Sequence, residues 1–160
     1  MLDRAGIASL IPHQGAMCLI ERVLEWDAGH VIAATRTHAW VTHPLASAGR
    51  LRAVHACEYG GQAAALHGGL AAQAAGQRAT PGVVVALREV RFGCDYLEDL
   101  GGEIIVEARR LMASSRSWQY SFRLEHAGAE LASGRITVMA RPDLAPILRP
   151  DLAGRRPARD

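Results

Sequence analysis

Between Leu51 and Gly76 the chain runs LRAVHACEYGGQAAALHGGLAAQAAG, a segment built largely from Ala and Gly. Helix formers of minimal volume predict a long, slender helix over 51–75, ended at Gly76. Such a helix has no broad polar face to show to water, so other structure must close tightly around it. It holds one carboxylate, Glu58, with Gln62 four residues on. In helical spacing His55, Glu58 and Gln62 fall at i, i+3 and i+7 and share a face. Among neighbours as small as Ala56, Gly60, Gly61 and Ala63, Glu58 reads as a partly buried acid held by Gln62, its pKa raised by desolvation. The plainer reading is a solvated acid favoured by the positive end of the helix.

The flanking sequence alternates with period two. Residues 18–27 and 30–38 read as strands joined at Ala28-Gly29. After a loop over 42–50 and the helix, Pro81-Gly82 opens a β-branched run that continues to about Phe92. Residues 102–112, 117–126 and 130–140 complete the strands, with turns at Ser114-Ser115 and Ala127-Gly128. Trp118, Tyr120, Phe122 and Leu124 fall on one face. Two strands, one long buried helix and four strands in hairpin succession predict an α+β fold: an antiparallel sheet of about six strands curled around a central helix, the hotdog arrangement. Such a sheet leaves an edge strand and one side of the helix open, which dimerisation can cover. Residues 1–140 form this one domain. Residues 141–160, rich in Pro and Arg, read as an irregular tail with a docking turn at Pro146-Ile147-Leu148.

Composition excludes several functions. The net charge is +2 with no basic stripe interleaved with aromatics, which argues against nucleic acid. Every cationic side chain counted among the 18 Lys and Arg is an arginine. No window approaches the roughly 18 apolar residues of a membrane span. The N-terminus mixes acid and base around a short apolar run, unlike a secretory signal. Cys18, Cys57 and Cys94 are odd in number and widely spaced, as expected of reduced thiols in the cytoplasm.

Chemistry has few candidates. Cys57 and His55 stand two residues apart and point apart on a helix, so they do not form a nucleophile pair, and Cys57 reads as a small core residue. His43 precedes Pro44, which favours extended backbone at His43; it reads either as a loop histidine without a task or as a base. His55 is either a second catalytic candidate or a polar residue at a pocket mouth. His38, His43, His55 and His67 lack ligand spacing, so no metal is expected. His13 reads as serving local structure.

Three stretches carry a resemblance: LIPHQGAMCLIERVLEWD, the segment from His43-Pro44 to Glu58-Tyr59-Gly60-Gly61-Gln62, and LREVRFGCDYLEDLGGEI. Across most of residues 8–140 the chain resembles the hotdog-fold 3-hydroxyacyl-carrier-protein dehydratases of the FabA/FabZ type. It is similar above all to the dehydratase-like proteins of aryl-polyene and xanthomonadin-type pigment pathways, which share His-Pro-Leu, Glu-Tyr-x-x-Gln and the His67-Gly68-Gly69-Leu70 stretch. It departs from the FabA/FabZ pattern where His-Phe-Pro-Gly becomes His43-Pro44-Leu45-Ala46. The Pro-Gly that opens their helix is here Arg52-Ala53.

The resemblance implies that His43 removes the α-proton of a 3-hydroxyacyl thioester on an acyl carrier protein or coenzyme A. Glu58, from the helix of the other subunit, would protonate the departing β-hydroxyl, with Gln62 orienting it. The backbone N–H of Ala53 or Val54 would meet the thioester oxygen. The product would be a trans-2-enoyl thioester in fatty acid or polyene-type biosynthesis. The resemblance further implies no cofactor, and a homodimer or an assembly of dimers. Arg50, Arg52, Arg88 and Arg91 would meet an acidic carrier protein, or serve only as solvated charge. Two rivals remain: a hotdog thioesterase, in which the helix acid activates water or attacks the carbonyl, and a non-catalytic acyl-carrier-binding partner subunit.

Overall fold

The computed structural model describes residues 2–144; the rest of the tail, with the expected docking turn at Pro146-Ile147-Leu148, lies outside the described residues. A short helix α1 (Arg4–Leu10) precedes strands β1 (Arg22–Trp26) and β2 (His30–Thr35). The long helix α2 (Ala56–Ala74) follows, then β3 (Gly82–Phe92), β4 (Ile104–Ala113), β5 (Ser117–His126) and β6 (Ala129–Ala140). The strands form one antiparallel sheet in the order β1-β2-β4-β5-β6-β3. This is the hotdog fold expected from the sequence.

The sheet's inner face follows the alternation. Ile104, Val106 and Ala108 of β4 and Tyr120, Phe122 and Leu124 of β5 are buried against Tyr59, Ala63, Leu66 and Leu70 of α2. Register shifts in β1, β3, β4 and β6 mark bulges that bend the strands around the helix. At the β5–β6 turn Ala127 and Gly128 both take positive φ, as a two-residue hairpin of primed type requires. Gly76 ends α2 with φ +67°; its N–H donates to the Gln73 carbonyl and that of Gln77 to the Ala72 carbonyl, a Schellman closure.

The Phe122 ring fits closely against two glycines. A Cβ on Gly60 would lie 2.5 Å from its Cγ, and one on Gly134 would lie 2.8 Å from its Cε1. Gly60→Ala gains helix propensity of about 1 kcal/mol. We expect a net loss of about 1–3 kcal/mol all the same, since the buried ring has nowhere to go. Denaturant unfolding checks this, and Phe122→Leu in the Gly60→Ala background should recover part of the loss. A stabilised Gly60→Ala would show that the ring yields.

Several boundaries differ from the sequence reading; β2 stops at Thr35 rather than at residue 38, because Thr37–Ala39 turn as a 3-10 helix. Helix α1 was not expected; Asp3 caps it, its carboxylate accepting the Gly6 N–H, while Ile7 and Ile11 are buried. Residues 18–20 are buried but lie outside β1, because side chains capture both polar groups of Leu19: its N–H donates to Gln62 and its carbonyl accepts from Thr35 and Thr37. The helical region starts at a 3-10 turn, Ala53–His55, rather than at Leu51. Residues 51–53 instead pair across the chain: Leu97 N–H donates to the Leu51 carbonyl, and Ala53 N–H to the Asp95 carbonyl.

Leu2 and Asp3 lie along β1, where the Val23 N–H donates to the Leu2 carbonyl. At the opposite edge, among the described residues, β3 pairs only with β6 and exposes Val84, Val85 and Leu87. No helix among the described residues is long and apolar enough to cross a membrane.

Candidate active site

Glu58 sits in the first turn of α2 with its side chain 35% exposed. Its Oε1 accepts from Gln62 Nε2 at 2.9 Å, the pairing expected from the i, i+4 spacing. Gln62 is fully buried and fully used. Its Oε1 accepts the Leu19 N–H at 2.8 Å, and its Nε2 also donates to the Met17 carbonyl at 2.7 Å. Because Leu19 N–H can only donate, the amide orientation is fixed, and with it the donor aimed at Glu58.

A second donor reaches the same carboxylate from the loop after α1: His13 Nε2 lies 3.0 Å from Glu58 Oε1. His13 was read as purely local, and the structure instead places it on the acid. This pairing reverses the expected pKa. The hydrogen bond from His13 is the largest influence and lowers it, outweighing desolvation, which raises it; Gln62 and the nearby His55 add to the lowering. Glu58 is therefore held ionised in this chain, not protonated.

His43 ends a short loop after the 3-10 turn Thr37–Ala39 and is 5% exposed. Pro44 and Leu45 form a turn closed by the Ala46 N–H on the His43 carbonyl. Its Nδ1 accepts the Leu45 N–H at 3.1 Å, and its Nε2 lies 3.0 Å from Tyr59 Oη. Burial depresses the pKa of His43, helped by the proximity of His55 and His38, so the imidazole is neutral near pH 7. Tyr59 is wholly buried, and burial pushes its phenol far up. Its Oη lies 3.0 Å from Thr37 Oγ1, which donates to the Leu19 carbonyl at 2.8 Å.

The two candidates are thus joined inside one chain. Hydrogen bonds run from His43 through Tyr59 and Thr37 to the Leu19 carbonyl, and from the Leu19 N–H through Gln62 to Glu58. His55, at the N-cap of α2, acts electrostatically on both ends. Beside this network lies an open groove of about 600 Å³, lined by Arg4, Ala16, Cys18, Trp40 and Thr42 among others. Trp40 and Thr42 lead into His43, and Ala16 and Cys18 flank the Met17 carbonyl that holds Gln62.

The remaining expectations divide. The Ala53 N–H is spent on the Asp95 carbonyl at 2.8 Å, so Ala53 does not offer a donor to a substrate oxygen. Val54, the second residue of the 3-10 turn, keeps an N–H without an intrahelical acceptor, and its side chain is exposed. Arg50 is tied down: it bonds Glu98 and stacks 3.8 Å above the Tyr96 ring. Arg52 is exposed beside Tyr96. Arg88 and Arg91 are exposed on β3, whose end leads through residues 93–97 to the helix start. Among the described residues no cluster of His, Cys, Asp and Glu is placed to hold a metal ion.

A family whose description reads ApeP-like, ApeP dehydratase, matches residues 5–149. Among solved structures the chain is similar to the dehydratase heterocomplex ApeI:P from Xenorhabdus doucetiae, with 19% identity over 93% of this chain and 97% of that one, at a TM-score of 0.78. It is also similar to a hypothetical thioesterase protein with coenzyme A from Streptococcus pneumoniae TIGR4, with 12% identity over 75% and 84% of the two chains and a TM-score of 0.55. AziG of S. sahachiroi matches at 15% identity over 78% and 91%, with a TM-score of 0.56. At such identities the likeness shows the fold alone. No curated protein sequence matches.

Proposed function

The chain belongs to the ApeP-like dehydratase family, and from that membership we propose that it removes water from a 3-hydroxyacyl thioester on an acyl carrier protein, giving the trans-2-enoyl thioester in polyene-type or fatty acid biosynthesis. The observation that carries this reading is the hydrogen-bonded network joining a neutral histidine to an acid with a second histidine on it. His43 takes the α-proton; a buried imidazole with a depressed pKa is uncharged at working pH and so competent as a base. The β-hydroxyl leaves as water with a proton from Glu58, whose ionised resting state must first take one up. Gln62, immobilised by backbone on both sides, keeps Glu58 aimed. Developing charge on the thioester oxygen falls to the Val54 N–H.

A second hotdog subunit completes the site. Cys57, Gly61, Ala65 and Gly68 form a half-buried stripe on the open side of α2, and the exposed apolar residues of β3 continue the surface that such a subunit would cover. That subunit is either a copy of this chain or, as in the Xenorhabdus heterocomplex, a different dehydratase chain. One observation favours a supporting role beside a more active partner: the Ala53 amide is spent and both ring nitrogens of His43 have partners within the chain.

The test is incubation of the chain with 3-hydroxyacyl-carrier-protein thioesters, following the conjugated enoyl product and thiol release separately. Enoyl formation with the thioester intact is the expected result. Thiol release without dehydration would move the chain to the thioesterases. Tight carrier binding with no turnover would make it the partner subunit.

A further inference from the structure

The bonds around His43 determine which of its nitrogens can act. The Leu45 N–H can only donate, so Nδ1, which receives it, carries no proton. At the far end of the network the Leu19 carbonyl can only accept. Thr35 and Thr37 both reach it with their hydroxyls, and when Thr37 donates there it accepts from Tyr59 O–H. The Tyr59 oxygen is then left to accept from His43 Nε2–H. That arrangement agrees with the tautomer that the Leu45 amide sets. Tyr59 is fully buried, so Nε2 faces the interior, and the two rings lie near-parallel with centroids 6.2 Å apart.

We infer that Tyr59 is a positioning residue of His43: its oxygen accepts from Nε2–H and, together with the Leu45 amide on Nδ1, holds the ring as the Nε2–H tautomer, leaving Nδ1 as the nitrogen that receives the substrate proton. The inference rests on the proposed role of His43 as base. In the step itself the Cα–H bond breaks and its proton goes to Nδ1. The electron pair forms the Cα=Cβ bond, and the Cβ–O bond breaks as the oxygen takes its proton from the Glu58 side and leaves as water. Once Nδ1 is protonated it faces the Leu45 N–H, donor against donor, so that amide must turn aside. The same opposition keeps His43 neutral between turnovers. A phenol serves here where a carboxylate would not, because it accepts from Nε2 without a charge that would favour the imidazolium.

Ring-nitrogen correlation spectra of the full chain labelled with 15N-histidine test this, with the His43 signals assigned by their loss in His43→Ala. The wild type should show Nε2 as protonated and Nδ1 as unprotonated. Tyr59→Phe removes the acceptor and leaves the Leu45 amide alone to hold the ring, so the single-tautomer signature should weaken, with kcat falling about tenfold and KM unchanged. Thr37→Val, a second variant should Tyr59→Phe fail to fold, leaves Tyr59 O–H to donate into Nε2 and should shift His43 toward the opposite tautomer. A wild-type spectrum with the proton on Nδ1, or a Tyr59→Phe protein with unchanged spectrum and kcat, overturns the inference. His43→Ala retaining wild-type dehydration would instead defeat the role of His43 as base, whatever the tautomer.

Discussion

Glu58→Gln should slow dehydration by roughly 10²–10⁴-fold, the usual worth of a positioned acid or base. Glutamine keeps the shape and an acceptor for Gln62, but unlike Glu58 it cannot take up a proton and pass it to the leaving hydroxyl. The fold should tolerate the change. Glu58 is about one-third exposed, and its bonds from His13 and Gln62 are partly screened by water, so their loss should cost no more than about 1 kcal/mol. His43→Ala should fall in the same range for the opposite half of the reaction. Single-turnover measurement on a carrier-bound 3-hydroxyacyl group separates chemistry from product release. Full activity in both variants would remove these residues from the chemistry. An inactive His55→Ala beside an active His43→Ala would mean that the base is the histidine at the helix N-cap. That His55 influences the pKa of both His43 and Glu58 makes this control informative.

What sequence alone reveals of this site follows the range of the interactions. The Glu58–Gln62 bond is legible because i, i+4 neighbours on a helix meet whatever the fold does. Strands β4, β5 and β6 are legible because each buries alternate residues and ends at turn residues. His13 on Glu58 and Tyr59 on His43 are different: each contact joins segments that only the fold brings together. A signal for the second existed. Tyr59 sits in a helix of Ala and Gly beside the acid, and a tyrosine buried there must find a partner for its hydroxyl. The pKa of Glu58 was misjudged for a related reason: small neighbours signal desolvation, but not the histidine that offsets it. The start of α2 depends on residues 51–53 pairing with residues 95–97, which no local pattern announces.

Stability should fall steeply as the pH drops below about 6.5. His38, His43 and His67 are buried, and desolvation depresses the pKa of each from 6.5. Each is bonded as a neutral ring; His67 accepts from the Tyr120 hydroxyl at Nδ1 and donates to the Asp27 carbonyl from Nε2. A group whose pKa is lower in the folded state than in the unfolded one stabilises the fold fully above the unfolded value. That contribution is lost as the pH falls toward the folded value, because the unfolded chain binds the proton first. Each histidine contributes a slope of up to about 1.4 kcal/mol per pH unit in that window, so the three together approach roughly 4 kcal/mol per pH unit. Glu58, its pKa lowered from 4.5, extends the loss to more acid conditions. Denaturant midpoints between pH 7.5 and 5.5 measure the slope, and a flat profile would contradict the buried neutral histidines. His67→Gln provides the attribution. Glutamine can accept from Tyr120 and donate to Asp27 but cannot titrate, so the slope should drop by about one-third. If it does not, the acid sensitivity lies with the other two rings, and for His43 it then reports directly on the nitrogen that the Leu45 amide keeps unprotonated.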